Sequence, residues 1–385
     1  MHALIRSRAL PYRIARIGLL VLLGWFAVKN LVYAEVPTSL EWPHTDFKKR
    51  LVEMSEIQSG GPPKDGIPAI DQPRFVSVKK ARAWLDPREP VIVVSVGNKT
   101  KAYPLQILIW HEIVNDKIGD LPISVTFCPL CNASIVFDRR QGGRVLDFGT
   151  TGRLRKSDLV MYDRQTESWW QQFTGRAIIG ELAGTVLTRI PASIVAFEDL
   201  GTTYPHAQVL SRKTGYSRAY GKNPYRGYDS ITDRPFLFFD PVDPRLPPME
   251  RVLNVAAGGA QRLYPFSVLR KQPVINDQVG GVPVVVFSRE GTLSVLDAGS
   301  IAGSRTVPSA TAFRRDLGKQ TLGFELSSGY ITDRETGSRW NLLGVAVGGP
   351  LKGTRLHTVA SGVHFAFAWL AFNPNSQIYA RPAGQ

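Results

Sequence analysis

The chain holds only two cysteines in 385 residues, and they stand together as Cys128-Pro129-Leu130-Cys131. At this spacing two sulfurs can bridge, so one thiolate can attack a target and the second resolve the mixed disulfide. Pro129 removes a backbone donor and stiffens the turn between them. The pair also begins a metal site. Two thiolates leave a tetrahedral zinc short of ligands, so zinc would need His111 and a further histidine or carboxylate. Copper(I) favours soft sulfur and is satisfied by the two thiolates, with Met161 or His111 as a third ligand. The plainest alternative is a local disulfide that staples the turn. A c-type haem is excluded, because Asn132 follows the second cysteine where histidine is required.

A thiolate needs positive surroundings. His111, within Trp110-His111-Glu112, is a candidate base or ligand, and its bland alternative is a satisfied polar group in a wall. Arg139 and Arg140 are candidates for charge near the sulfurs, and Arg139 and Arg153 for binding. Trp169 is a candidate lining of an aromatic pocket. Gly149-Thr150-Thr151-Gly152-Arg153 lacks the Walker lysine-serine ending and the Rossmann spacing, so it reads as a plain turn. The chain has no G-x-S-x-G elbow and no H-E-x-x-H helix.

The cysteines occupy one half of a sequence that reads as duplicated, and the other half serves as an internal control. Tyr103-Pro104 recurs as Tyr264-Pro265, and Asn115-Asp116 as Asn276-Asp277. Pro122 answers Pro283, and Val125-Thr126-Phe127 answers Val285-Val286-Phe287 after a one-residue slip. Asp163-Arg164-Gln165-Thr166-Glu167-Ser168-Trp169-Trp170 matches Asp333-Arg334-Glu335-Thr336-Gly337-Ser338-Arg339-Trp340. In this register Ser288 faces Cys128, Gly291 faces Cys131, and Gln272 faces His111. Shared residues then specify the fold, and the unshared cysteines carry the chemistry. Because Trp340 repeats Trp170, Trp170 reads as core.

The elements that must position these residues are mostly strands. Val91 to Val96, Leu121 to Phe127, Ala133 to Phe137, Val145 to Phe148 and Leu159 to Tyr162 are short apolar runs punctuated by Gly, Asn and Asp. A helical turn follows Pro104, and Ser77 to Leu85 reads as a short amphipathic helix. No tryptophan precedes the cysteines and a strand follows them, so the setting is unlike thioredoxin. Ala192 to Leu200 and Gly362 to Phe372 read as terminal helices of the two copies. The expected architecture is α+β and β-rich: residues 1–34 a signal or anchor, 35–89 a lead-in, 90–210 a first lobe, and 250–385 a second, cysteine-free lobe. The connection, 211–249, is too aromatic for a disordered linker and is expected to pack across both lobes.

Arg6, Arg8, Arg13 and Arg16 precede an apolar stretch from Ile17 to Val28, and Val32-Tyr33-Ala34 suits signal peptidase. The apolar run is about a dozen residues, short of the roughly 20 that span a bilayer. A cleaved export signal is the first reading; an uncleaved segment would anchor the protein with its body outside. Either way the expected location is periplasmic or otherwise extracytoplasmic, where a close cysteine pair can be oxidised. The net charge of +15 is scattered and matches no nucleic-acid motif, so anionic membrane surface is the more natural attraction.

Phe127-Cys128-Pro129-Leu130-Cys131-Asn132-Ala133, Ser157-Asp158-Leu159-Val160-Met161-Tyr162-Asp163-Arg164 and Tyr220-Gly221-x-Asn223-Pro224-Tyr225-x-Gly227-Tyr228 together make the chain recognisable. From about residue 60 to the C-terminus it resembles the bacterial domain-of-unknown-function family 3179. The resemblance brings no established activity. It does bring selenoprotein members with selenocysteine in the cysteine motif, which implies redox work at Cys128 and Cys131. The leading expectation is therefore an extracytoplasmic thiol–disulfide redox protein that needs no cofactor and acts on an unidentified thiol substrate or redox partner. The alternatives are a copper(I)-handling protein and an envelope binding module with a structural disulfide.

Overall fold

Alternating apolar residues build the strands, and both faces of the most central one are used. The computed structural model describes residues 40–380, so the signal and anchor readings lie outside the described residues. Among those described, no helix is long and apolar enough to cross a membrane. Strand Pro90–Val96 pairs antiparallel with Lys99–Pro104 on one side and Ala192–Ala196 on the other. Its side chains alternate between two cores, as a pleated strand requires. Ile92 and Val94 join the cluster that holds the cysteines, while Val91 and Val93 pack with Phe287, Phe324 and Trp340 of the second half. The halves therefore share their cores, and the described residues form one compact unit.

Three sheets recur in each half. The first, ordered Ala192–Ala196, Pro90–Val96, Lys99–Pro104, Gln208–Leu210, has its counterpart in Ala360–Phe365, Arg251–Ala257, Ala260–Pro265, Gln377–Ile378, with the last pair parallel in both. The second joins Ile113–Ile118, Leu121–Cys128 and Ala133–Asp138, answered by Val274–Val279, Val282–Leu293 and Thr306–Arg314. The third joins Phe148–Arg155, Asp158–Asp163, Trp169–Gln171 and Arg176–Ile179, answered by Phe324–Ser327, Tyr330–Asp333, Arg339–Trp340 and Ala346–Gly348. The fold is α+β and strand-rich.

The residues repeated in the sequence make the same bonds twice. The hydroxyl of Tyr103 donates to Asp116 at 2.6 Å, and that of Tyr264 to Asp277 at 2.7 Å. Asn115 pairs with the backbone of Phe148 through both its amide atoms, and Asn276 does so with Phe324. The indoles of Trp170 and Trp340 donate to Asp163 and Asp333, each at 2.8 Å. Each aspartate also accepts from the backbone and hydroxyl of the threonine three residues on, which closes the turn. These are scaffold bonds.

Several expectations need correction. Ala192 to Leu200 is not one helix: Ala192–Ala196 is a strand and the helix begins at Phe197. Gly362 to Phe372 divides likewise, with strand up to Phe365 and helix from Ala366. In each the residues ahead of the helix find a partner strand, which local pattern cannot reveal. The short helix after Ser77 is one turn, Val78–Ala81. The one-residue slip is absent. Ile113 pairs with Thr126 and Val274 with Phe287, so Thr126 is the counterpart of Phe287 and Cys128 that of Arg289, not Ser288. Two-residue turns fix both hairpins in the same register, and the Val-x-Phe match had aligned residues on opposite faces. In the connection, Tyr220, Tyr225, Tyr228 and Phe238 pack on the core as expected, whereas Phe236 and Phe239 are exposed.

Candidate functional site

Cys128 ends strand Leu121–Cys128, and Pro129–Cys131 forms a single 3-10 turn. Pro129 suits its first position, where no backbone donor is needed. Asn132 then takes a left-handed conformation, φ 48°, which asparagine tolerates, and Ala133 returns to pair with Cys128. The hairpin thus folds both sulfurs to one side. In the second half the same strand runs on through a bulge to Leu293, with no such turn.

Facing the sulfurs is the turn of the next sheet. Lys156 and Ser157 are both left-handed, at φ 54° and 65°, as a tight hairpin of type I′ requires. Both thiols donate to the Ser157 carbonyl, Cys131 at 3.5 Å and Cys128 at 3.9 Å. Asp158, first residue of the return strand, is completely buried. One of its oxygens, Oδ2, accepts from Gln171 at 2.5 Å and from the Phe173 backbone at 2.8 Å, while Oδ1 has no such partner. The two sulfurs and a carboxylate oxygen lie within 4.8 Å of one another. Burial pushes Asp158 up to about 7, despite its hydrogen bonds from Gln171 and the Phe173 backbone. Burial also pushes the Cys131 thiol well above its ordinary range, helped by Cys128 and Asp158. The second-half hairpin is shorter, and its turn carries Gly329 and Tyr330 where the first carries Ser157 and Asp158.

Beside this cluster lies a cavity of about 550 Å³. Its walls include Leu130 from between the cysteines, Leu159 from beside Asp158, Glu112, and Tyr225 and Tyr228 of the connection. Tyr225 and Tyr228 lie close enough to the sulfurs for thiolate charge to add to the burial that raises their phenols. Glu112 is 7% exposed and left-handed at φ 57°. Its counterpart by hairpin register is Pro273: each backbone carbonyl accepts at 2.8 Å, from Phe127 in one half and Ser288 in the other. Proline cannot adopt a positive φ, so the second half lacks this conformation.

The expected site residues fall in different places. Cys128 and Cys131 are adjacent, buried, free thiols. His111 does not serve them. Its Nδ1–H donates to the Pro68 carbonyl, and Nε2 then accepts from the Tyr220 hydroxyl, both at 2.7 Å. Burial lowers it to about 4, so it is a neutral clamp on the connection. Trp110 assists by donating to the Lys222 carbonyl at 3.1 Å. Arg139 is engaged by Asp147 and by the carbonyls of Leu146 and Asp116. Arg153 lines the cavity but is tied to Glu41 at 3.4 Å and stacks on Trp169. Trp169 is fully buried and sealed under Trp42 and Phe47. The groups that meet the sulfurs are the Ser157 carbonyl and the Asp158 carboxyl, and the cation near that carboxyl is Arg189 rather than Arg139.

The residues that do converge are those of the three quoted motifs: Cys128 and Cys131, Ser157 and Asp158, Tyr225 and Tyr228. The family model for "Protein of unknown function (DUF3179)" matches residues 64–376. The chain belongs to the DUF3179 family. No curated protein and no solved structure matches it. In this DUF3179 chain Asp158 and Glu112 are the residues that sequence reading passed over. Applying the internal control to acidic residues would have found them, because neither has an acidic counterpart in the second half.

Proposed function

We propose that this DUF3179 protein is a thiol–disulfide redox protein in which Asp158 manages the proton of Cys131. The observation that carries the reading is the buried clustering, within 4.8 Å, of the Cys131 thiol and the Asp158 carboxyl, whose affinities for the proton have both been raised. A carboxylate near pKa 7 is a competent acceptor at neutral pH. Cys128, the sulfur with a trace of exposure, is the attacking atom. With a small disulfide as oxidant, the Cys128 thiolate forms an S–S bond to one of its sulfurs and expels the other as a thiolate. Cys131 passes its proton to Asp158 and attacks Cys128 Sγ; the intramolecular disulfide forms and the second small thiolate leaves. The chain loses two electrons and two protons, and the small disulfide becomes two thiols. An extracytoplasmic location, where oxidised and reduced pairs both occur, suits this chemistry.

Equilibration in glutathione buffers, quenched by alkylation and read by mass, tests the proposal. We expect a reduction potential near −200 mV or higher; a value below about −300 mV would mark a structural staple and sink it.

One observation favours a second reading. Asp158 Oδ1 is buried without a hydrogen-bond partner beside two sulfurs, a set that could hold copper(I) through the thiolates. Anaerobic loading followed by metal analysis would then show stoichiometric copper that Cys128→Ser abolishes.

A further inference from the structure

Glu112 is a buried acid that the sulfur chemistry does not use. Its carboxyl has no hydrogen-bond partner among the described residues, and it borders the cavity. Its backbone is left-handed, at φ 57°, a conformation that a non-glycine residue adopts only under strain. Such strain beside an unpartnered polar group points to a ligand. The second half has proline at this position and no cysteines, so the acid and the sulfurs are present or absent together.

Three features of the cavity define what fills it. Its volume, about 550 Å³, suits a molecule of one or two rings. Its walls near the sulfurs are Leu130, Leu159, Tyr225 and Tyr228, which favour a flat apolar body. Burial, reinforced by the charge of Asp158, pushes Glu112 up to about 8, so at neutral pH it is a hydrogen-bond donor. A protein disulfide meets an obstacle that a small molecule does not, since Cys128 is 2% exposed and Cys131 not at all.

We infer that the cavity binds a quinone, with one carbonyl oxygen on the Glu112 carboxyl, and that this quinone is the two-electron acceptor of the Cys128–Cys131 dithiol. This rests on the redox reading above. In the step, two S–H bonds break and one S–S bond forms. The two electrons enter the ring, and each carbonyl oxygen gains a proton to give the hydroquinone. Glu112 supplies one proton and is restored by the proton that Asp158 receives from Cys131; the other comes from Cys128.

Tetramethylbenzoquinone is the probe, because it has no free ring position for a thiol to occupy. Calorimetric titration of the full chain bearing both Cys128→Ser and Cys131→Ser is expected to show saturable binding. Adding Glu112→Leu should weaken it about tenfold, while Glu112→Gln, which still donates, should retain it. Reduced wild type should convert the probe to stoichiometric hydroquinone. Absence of saturable binding, or equal binding by Glu112→Leu, overturns the inference; if glutathione still equilibrates the pair, the redox reading stands without it. Binding without hydroquinone, together with no exchange with glutathione, would instead overturn the redox reading and the quinone's role as acceptor.

Discussion

Cys131 Sγ and a carboxylate oxygen of Asp158 lie within 4.8 Å of each other, and both groups are fully buried. Neither can exchange a proton with solvent directly, so each is the other's partner. Asp158→Asn keeps the shape and removes the acceptor. Closure of the disulfide should slow by about 10²-fold, and the mixed disulfide with glutathione should accumulate. In wild type the closure rate should rise with pH to a plateau with an inflection near 7; the variant should lack it. Quenched-flow alkylation checks both. An unaltered profile would remove Asp158 from the mechanism.

Stability should depend on pH through the same buried acids. Burial raises Asp158 from 3.8 to about 7, and Glu112 from 4.5 to about 8. The folded state then holds protons that the unfolded state has released, so its stability falls as pH rises. The favourable contribution is complete below about pH 4 and is lost as pH climbs through 7 and 8. Melting temperatures of the reduced protein between about pH 5 and pH 9 should decline, and Glu112→Gln should flatten the upper part of the slope. A slope unchanged in that variant would show that Glu112 is ionised throughout.

His111 should behave as a clamp. His111→Ala strands the Pro68 carbonyl and leaves the Tyr220 hydroxyl with Thr214 alone, at a cost of about 1–3 kcal/mol. Hydrogen exchange should accelerate over residues 220–228, while the reduction potential of the cysteine pair stays at its wild-type value. A shift in potential without loosening of that segment would return His111 to the redox centre.

Trp169 should prove structural. Its indole is fully buried against Trp42 and Phe47. Trp169→Ala should cost about 3–5 kcal/mol by denaturant unfolding, with thiol exchange in the folded protein unaffected.

Repetition along the chain was enough to read off the scaffold and the place of the sulfurs. Tyr103 with Asp116, Asn115 with the next sheet, and Trp170 with Asp163 are bonds between residues close in sequence or in adjacent hairpins, and repetition exposed each of them. The turn at Pro129–Cys131 was legible for the same reason, because its geometry is local. Tertiary structure alone decided what surrounds it. Asp158 reaches Cys131 because its hairpin is longer than the second-half counterpart, and strand length depends on the partner strand. Glu112 rather than His111 meets the cavity because one left-handed residue redirects the chain after Trp110 and His111 have pinned the connection. Charge followed the same rule: Arg139 looks like a partner for a thiolate, and Arg153 like a binding residue, until Asp147 and Glu41 claim them. Hydrogen bonds and burial act through space, and no spacing along the chain records which neighbour a side chain will find.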